Sequence, residues 1–172
     1  TIFLLPIIIN SFRDIQIKLI NKFILRSFFH AIGVSLWFYS MTVITIAEVT
    51  AIGYLTPIFV CIGAIIFFKE NIKGFRAFAI TLSFIGAMII LRPGFQEIKL
   101  GQYSMLLAAF VFSFSYLMVK YLANTKSSLE IVGFLSLFTT IFLTPLALIH
   151  WVELNIDQIS IIILISIIAT IG

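Results

Sequence analysis

The chain has 172 residues, of which 62% are hydrophobic and only 10% are charged, and its mean hydropathy is +1.20. A soluble domain carries about 45–50% apolar and about 25% charged residues, so this composition leaves too few polar side chains to cover a soluble surface. The same numbers exclude a disordered chain, and the single cysteine, Cys61, excludes an intramolecular disulfide framework. The composition therefore predicts a polypeptide that lies in a lipid bilayer.

The net charge of +4 and the pI of 9.4 do not indicate nucleic-acid binding. Such binding requires a basic patch on a solvated face, whereas these lysines and arginines lie in short gaps between apolar runs. We expect no nucleic-acid partner. The sequence also opens and closes inside apolar runs, so we expect it to be a fragment of a longer membrane protein.

Seven apolar runs are candidate membrane spans, since a spanning helix needs about 20 mostly apolar residues. The turn between the second and the third is the least obvious, because only Glu48 interrupts residues 27–68. A carboxylate in the middle of a bilayer costs about 2.5–3.5 kcal/mol on insertion scales, so we place the turn at Ala47-Glu48-Val49. The seven predicted spans are residues 1–10, 27–46, 50–68, 75–91, 102–119, 131–151 and 159–172.

Lysine and arginine are distributed unevenly between alternate connections. The connections after the first, third and fifth predicted spans contain nine of the 11 basic residues, and the others contain only Arg92 and Lys99. Because cytoplasmic loops are enriched in Lys and Arg, these three connections are predicted to be cytoplasmic. The nine residues are Arg13, Lys18, Lys22, Arg26, Lys69, Lys73, Arg76, Lys120 and Lys126.

A repeated segment relates the first and the sixth predicted spans. Residues 1–6 (TIFLLP) and 140–145 (TIFLTP) share five of six residues at an offset of 139 positions, although short matches in apolar sequence also arise by chance. The two copies are five spans apart, and an odd separation reverses the direction in which a helix crosses the membrane. The sequence therefore predicts an inverted repeat of five-helix units, as in many secondary transporters. Residues 1–100 would hold the last four helices of one unit, and residues 101–172 the N-terminal part of the next.

Several short motifs follow one another in an order that is typical of one known family. They are LWFYSM at residues 36–41, IAEVTA at 46–51, TPIF at 56–59, FFKEN at 67–71 and GAMIILRPG at 86–94. With them, the chain resembles the EamA-type branch of the drug/metabolite transporter superfamily, although Lys69 stands where that family usually has glycine. The resemblance implies ten helices in two inverted units, of which this chain is similar to helices two through eight. It also implies transport of amino acids, of nucleoside-like compounds such as S-adenosylmethionine, or of other small polar metabolites.

Polar and aromatic side chains recur at helical spacing in several predicted spans, and we take a subset as candidates for a substrate cavity. Aromatic side chains there would stack on a substrate, hydroxyls would hydrogen-bond it, and Pro57 would kink its helix and expose backbone. The alternative is interhelical packing, because small and hydroxylated side chains let helices approach closely. The candidates are Trp37, Ser40, Tyr54, Pro57, Ser113, Tyr116 and Thr140.

Three ionisable residues have structural as well as functional interpretations. Glu48 is a weak candidate for a gate or coupling residue, and the alternative is a carboxylate favoured by the positive N-terminus of the third span. Glu70 is expected to form an interfacial charge pair with Lys69, Lys73 or Arg76, and the alternative is a substrate ligand. His30 is expected to be a hydrogen-bonded interfacial histidine, with a proton relay as the alternative.

The resulting prediction is an all-α, multi-pass protein of the bacterial inner membrane. It would be a secondary transporter that moves a small polar metabolite by alternating access. We find no constellation of residues for catalysis, a metal or a cofactor, so an enzyme is not expected. A membrane-embedded enzyme whose catalytic residues lie elsewhere, and a non-transporting scaffold, are the alternatives. The predicted partners are a small-molecule substrate and the bilayer, and a homodimer stays open.

Overall fold

The structure, a computed structural model, describes residues 5–13, 17–71, 74–91 and 99–171. Throughout these ranges the regular secondary structure is helical, and no strand is present. The helices are α1 (Leu5–Arg13), α2 (Ile17–Val43), α3 (Ile46–Gly53), α4 (Thr56–Phe68), α5 (Gly74–Leu91), α6 (Leu100–Leu122), α7 (Ser128–Ile149) and α8 (Ile156–Ile171).

Four segments are long and apolar enough to cross a membrane: Leu19–Val43, Ile46–Phe68, Leu100–Leu122 and Ser128–Ile149. The prediction of an all-α, multi-pass membrane protein is confirmed. The predicted spans 75–91, 102–119 and 131–151 agree with α5, α6 and α7 to within three residues. The inverted repeat and the division near residue 100 stay predictions.

The start of α2 differs from the prediction. The span was predicted to begin at residue 27, after a basic connection, but α2 begins at Ile17 and includes Lys22 and Arg26. Long basic side chains are accommodated near a helix end because their apolar stems pack while the charged group reaches a partner. Lys22 Nζ lies 3.2 Å from the centroid of the Tyr121 ring, and Arg26 is buried against α7. A boundary set by charge alone was therefore wrong here.

The turn between α2 and α3 also lies elsewhere. The prediction at Ala47-Glu48-Val49 was wrong, because the chain turns at Ile44 and Thr45 and α3 begins at Ile46. Thr45 is the N-cap residue of α3, and Glu48 is the third residue of its first turn. Their side chains form a reciprocal capping box, which satisfies backbone amides that a helix start leaves unpaired.

The predicted span 50–68 is divided into α3 and α4 by Tyr54 and Leu55. Pro57 lies in the first turn of α4, where the missing backbone amide hydrogen is tolerated. The effect expected from Pro57 was a kink within one helix. The structure has a two-residue interruption just before Pro57, where Tyr54 and Leu55 keep right-handed helical backbone angles within the span Ile46–Phe68.

Helix α2 is the centre of the packing, with its most extensive contacts to α6 and then to α7. One apolar cluster joins α3, α5 and α6 to the end of α2, and a second joins α1, α2, α6 and α7. Phe23 and Phe134, both fully buried, meet in the second cluster with ring centroids 4.7 Å apart. The first cluster contains Ile44, Val49, Ile52, Leu55, Ala87, Met105 and Ala108, and the second contains Ile8, Phe23, Leu122, Ile131 and Phe134.

Candidate functional site

A cavity of about 680 Å³ lies beside the break between α3 and α4. Residues of the break form one side of it, and residues of α5 and α6 form the others. Its lining is largely apolar and aromatic, with hydroxyl groups from a few side chains. The lining residues are Gly53, Tyr54, Thr56, Pro57, Val60, Ala79, Ile80, Ser83, Phe112 and Tyr116.

The break places backbone polar groups beside this cavity. Pro57 has no amide hydrogen to donate to the Gly53 carbonyl, which an uninterrupted helix would require. The Ser83 hydroxyl of α5 donates a hydrogen bond of 3.1 Å to the carbonyl oxygen of Tyr54. Interrupted helices whose backbone lines a cavity are the usual binding elements of secondary transporters.

Two aromatic residues of α6 form the opposite wall. The rings of Phe112 and Tyr116 follow each other along the helix, with centroids 6.4 Å apart. The His30 ring of α2 lies 5.1 Å from the Phe112 ring, and a Cβ atom built on Gly33 would be 2.7 Å from Phe112 Cδ1. The close approach of α2 at Gly33 therefore fixes the position of the Phe112 ring.

Three of the seven predicted cavity residues, Tyr54, Pro57 and Tyr116, lie together in this lining. Trp37 lies outside it, half-buried against the apolar cluster that contains Ile44 and Val49. The roles proposed for these residues in substrate binding stay predictions.

The other three predicted cavity residues carry hydroxyls that bond within their own helices. Ser40 donates to the Leu36 carbonyl at 2.8 Å, and Ser113 donates to the Phe110 carbonyl at 2.6 Å. Both serines are almost completely buried. Thr140 donates to the Ser136 carbonyl at 2.7 Å. The structure does not bring these three side chains to the cavity at the break.

Glu48, the predicted gate residue, is at the far end of α3 from the break. Its Oε2 atom accepts hydrogen bonds from the Thr45 amide at 3.0 Å and from the Thr45 hydroxyl at 2.8 Å. Its Oε1 atom accepts a bond of 2.8 Å from the Gln102 side-chain amide of α6. These contacts are those of a helix cap that also joins two helices.

Glu70 pairs with Lys120, a residue of α6 that is not among the three predicted partners. The expectation for His30 was wrong for one ring nitrogen, because His30 Nδ1 is buried with no hydrogen-bond partner among the described residues. A lone buried ring nitrogen does not by itself constitute a relay.

Sequence reasoning missed a group of buried polar side chains where α2, α6 and α7 pack together. Arg26 is only 4% exposed, and its Nη1 atom donates a hydrogen bond of 2.9 Å to the Ile131 carbonyl. Five buried side-chain atoms in this region have no hydrogen-bond partner within the described part of the chain: Arg26 Nε, Ser27 Oγ, His30 Nδ1, Ser115 Oγ and Thr139 Oγ1. Nothing in the local sequence distinguishes Arg26 from the basic residues that precede it, because its partner is the Ile131 carbonyl of α7.

Within the described ranges, no group of three or more His, Cys, Asp or Glu residues is arranged to hold a metal ion. The cavity lining offers ring faces, side-chain hydroxyls and backbone carbonyls, which are suited to stacking and hydrogen bonding.

Comparison with known proteins identifies relatives of this chain. It is 34% identical over 129 residues to the riboflavin transporter of Vibrio cholerae serotype O1, an alignment that covers 74% of this chain and 43% of the relative. It is 27% identical over 148 residues to the riboflavin transporter of Brucella anthropi, covering 86% and 51% of the two chains. It is 24% identical over 154 residues to the S-adenosylmethionine uptake transporter of Rickettsia prowazekii, covering 88% and 52%.

The chain thus spans about half the length of these curated relatives. No solved structure gives a significant match to it. The model of the EamA-like transporter family matches residues 1–92, which is more than half of the sequence and includes both helices of the break. The chain belongs to the EamA-like transporter family.

Proposed function

We propose that this chain forms part of a secondary transporter that moves a small polar metabolite across the bacterial inner membrane by alternating access. The observation that carries the proposal is the cavity beside the α3–α4 break, where an interrupted membrane-spanning segment meets an aromatic wall. Interrupted helices of this kind allow backbone groups to contact a substrate inside the membrane.

The proposed substrate carries a planar ring and several polar groups, as nucleoside-like or flavin-like metabolites and aromatic amino acids do. Pockets for small molecules measure about 300–1,000 Å³, and the cavity of about 680 Å³ falls in this range. Tyr54, Phe112 and Tyr116 offer ring faces for stacking. The names of the relatives, riboflavin and S-adenosylmethionine transporters, support a substrate of this size and character.

The test is counterflow exchange by the protein with its complete reading frame, purified into proteoliposomes. Labelled riboflavin, S-adenosylmethionine and amino acids are offered in turn, with empty liposomes as the background. Accumulation of one compound, competed by its unlabelled form, is the expected result. If protein shown to be folded and inserted exchanges none of them, the proposed substrate class is wrong.

Tyr116→Ala is the variant that tests the cavity itself. It removes one ring of the aromatic wall, and base–aromatic stacking is worth about 1–3 kcal/mol. We expect the KM for counterflow to rise about tenfold while the protein still inserts. Tyr103→Ala is the matched control, because Tyr103 lies on the same helix, is exposed and does not line the cavity. Equal KM values for the two variants would remove Tyr116 from the substrate site.

A further inference from the structure

A second, separate groove lies between α2, α4 and α6, at the end of the helices where α4 and α6 terminate. Its volume is about 360 Å³, and its walls are almost entirely apolar. Several of its residues are open to the surroundings: Phe67 is 64% exposed, and Leu25 and Tyr121 are each 48% exposed. The lining residues are Lys22, Leu25, Phe67, Phe68, Phe114, Leu117, Met118 and Tyr121.

Basic side chains surround the end of this groove. Lys22 Nζ lies 3.2 Å from the centroid of the Tyr121 ring, and Lys120 Nζ lies 4.6 Å from the centroid of the Phe68 ring. Lys69, exposed at the C-cap of α4, directly follows Phe68. We call Lys22, Lys69 and Lys120 the basic rim. Glu70 pairs with Lys120 and offsets one of the three charges, so the rim retains an excess of about two positive charges.

The combination of apolar walls and basic rim matches one kind of membrane component. The groove of about 360 Å³ lies within the range of about 300–1,000 Å³ for small-molecule sites, and its apolar walls suit an acyl chain. Basic pockets between membrane helices attract anionic lipid headgroups, and each lysine near the surface strengthens this binding about fivefold. A neutral lipid would pack an acyl chain against the apolar walls, but it has no net negative charge to pair with the basic rim.

We infer that this groove binds an anionic phospholipid, with an acyl chain against Phe67, Phe114 and Met118 and the headgroup phosphate at the basic rim. The site is distinct from the cavity at the α3–α4 break, since the two share no lining residue. Lipid binding here is independent of the proposed transport function and can be measured without any substrate.

The first test is the affinity of the purified full-length protein for phosphatidylglycerol and phosphatidylcholine, measured by native mass spectrometry of lipid-bound states. We expect phosphatidylglycerol to bind more tightly, and the double variant K22Q/K120Q to weaken its binding about 25-fold. Lys126→Gln is the matched control, because Lys126 also forms a pair with a glutamate, Glu130, but lies outside the groove. Equal affinity for the two lipids, or equal losses in the two variants, would overturn the inference.

The second test asks whether an acyl chain occupies the walls. Met118→Trp places an indole in the groove, and its added fluorescence is compared with that of the unmodified protein in vesicles that contain brominated phosphatidylglycerol. Quenching that is lost in the K22Q/K120Q background supports the lipid. An indole that stays unquenched shows that protein covers the groove, and this outcome contradicts the inference.

Discussion

Glu48 joins the start of α3 to α6. Its carboxylate accepts from the Thr45 amide and hydroxyl and from Gln102, so both oxygens have partners. A capping residue satisfies a backbone donor at a helix N-terminus, and replacing it with alanine costs about 1 kcal/mol. These contacts favour the structural role over the predicted gate.

We expect Thr45→Ala and Glu48→Ala each to lower stability by about 1 kcal/mol, because either change breaks the capping box. Both variants should keep the pH profile of counterflow, since the cap and not proton transfer is affected. Thermal unfolding of the full-length protein and counterflow at several pH values provide the measurements. If a Glu48 variant keeps the thermal stability of the unmodified protein but its counterflow no longer depends on pH, the predicted role of Glu48 as a gate or coupling residue is supported instead.

Single residues also show where sequence reasoning reaches the site and where it does not. Pro57 and the nearby Tyr54 could be predicted because a proline in an apolar run is conspicuous, and Tyr116 because it shares a helical face with Ser113. Arg26 could not, because its burial depends on α7, whose Ile131 carbonyl lies 105 positions away in the sequence. A buried charge has a high desolvation cost, so charge patterning assigns such a residue to a loop by default.

At the scale of helices, the contact of α2 with α6 depends on a glycine. A Cβ atom on Gly33 would lie 2.7 Å from two carbon atoms of the Phe112 ring, so the ring or the helix must shift to accommodate it. Phe112 also packs against the apolar cluster of α3, α5 and α6 and lines the cavity. This one contact therefore couples helix packing to the shape of the proposed site.

We expect Gly33→Ala to destabilise the protein by about 1–3 kcal/mol, the usual range for overpacking a core. It should also change the KM for counterflow, because the displaced Phe112 ring narrows or reshapes the cavity. Gly86→Ala is the control, since no atom lies within 4 Å of the added Cβ and alanine is the better helix former. Thermal unfolding and counterflow distinguish the two variants, and equal stability would show that α2 shifts at no cost.

The limits of α5, α6 and α7 were predictable because charged or polar residues bracket each apolar run. The break between α3 and α4 was only half predictable. Pro57 indicates an interruption, but Pro57 is compatible with either a kink or a new helix start. The Ser83 hydroxyl of α5 donates a hydrogen bond to the Tyr54 carbonyl, so a tertiary contact accompanies the two-residue interruption. The residues around Pro57 do not indicate that Ser83, 29 positions from Tyr54, is the partner of this carbonyl.

The whole molecule has an orientation that the distribution of basic residues predicts. Asn71 and Asn124 lie in connections that contain several of the nine basic residues and are predicted to be cytoplasmic. The connection at Glu153 contains no lysine or arginine. The structure places all three residues outside the helices and exposes them. They are therefore suitable positions for reporters that distinguish the two sides of the membrane.

We expect Glu153→Cys to react with a membrane-impermeant maleimide in intact cells, and Asn71→Cys and Asn124→Cys to react only after permeabilisation. The expectation follows from the positive-inside rule, under which the basic connections stay on the cytoplasmic side. Cys61 is 2% exposed and should contribute little background, because a buried thiol is inert. Labelling of Asn71→Cys and Glu153→Cys from the same side would refute the predicted alternation, since an odd number of spans must separate them. If the labelling pattern is reversed, so that Asn71→Cys and Asn124→Cys react in intact cells and Glu153→Cys only after permeabilisation, the alternation still holds. The basic rim of the lipid groove would then lie in the outer leaflet.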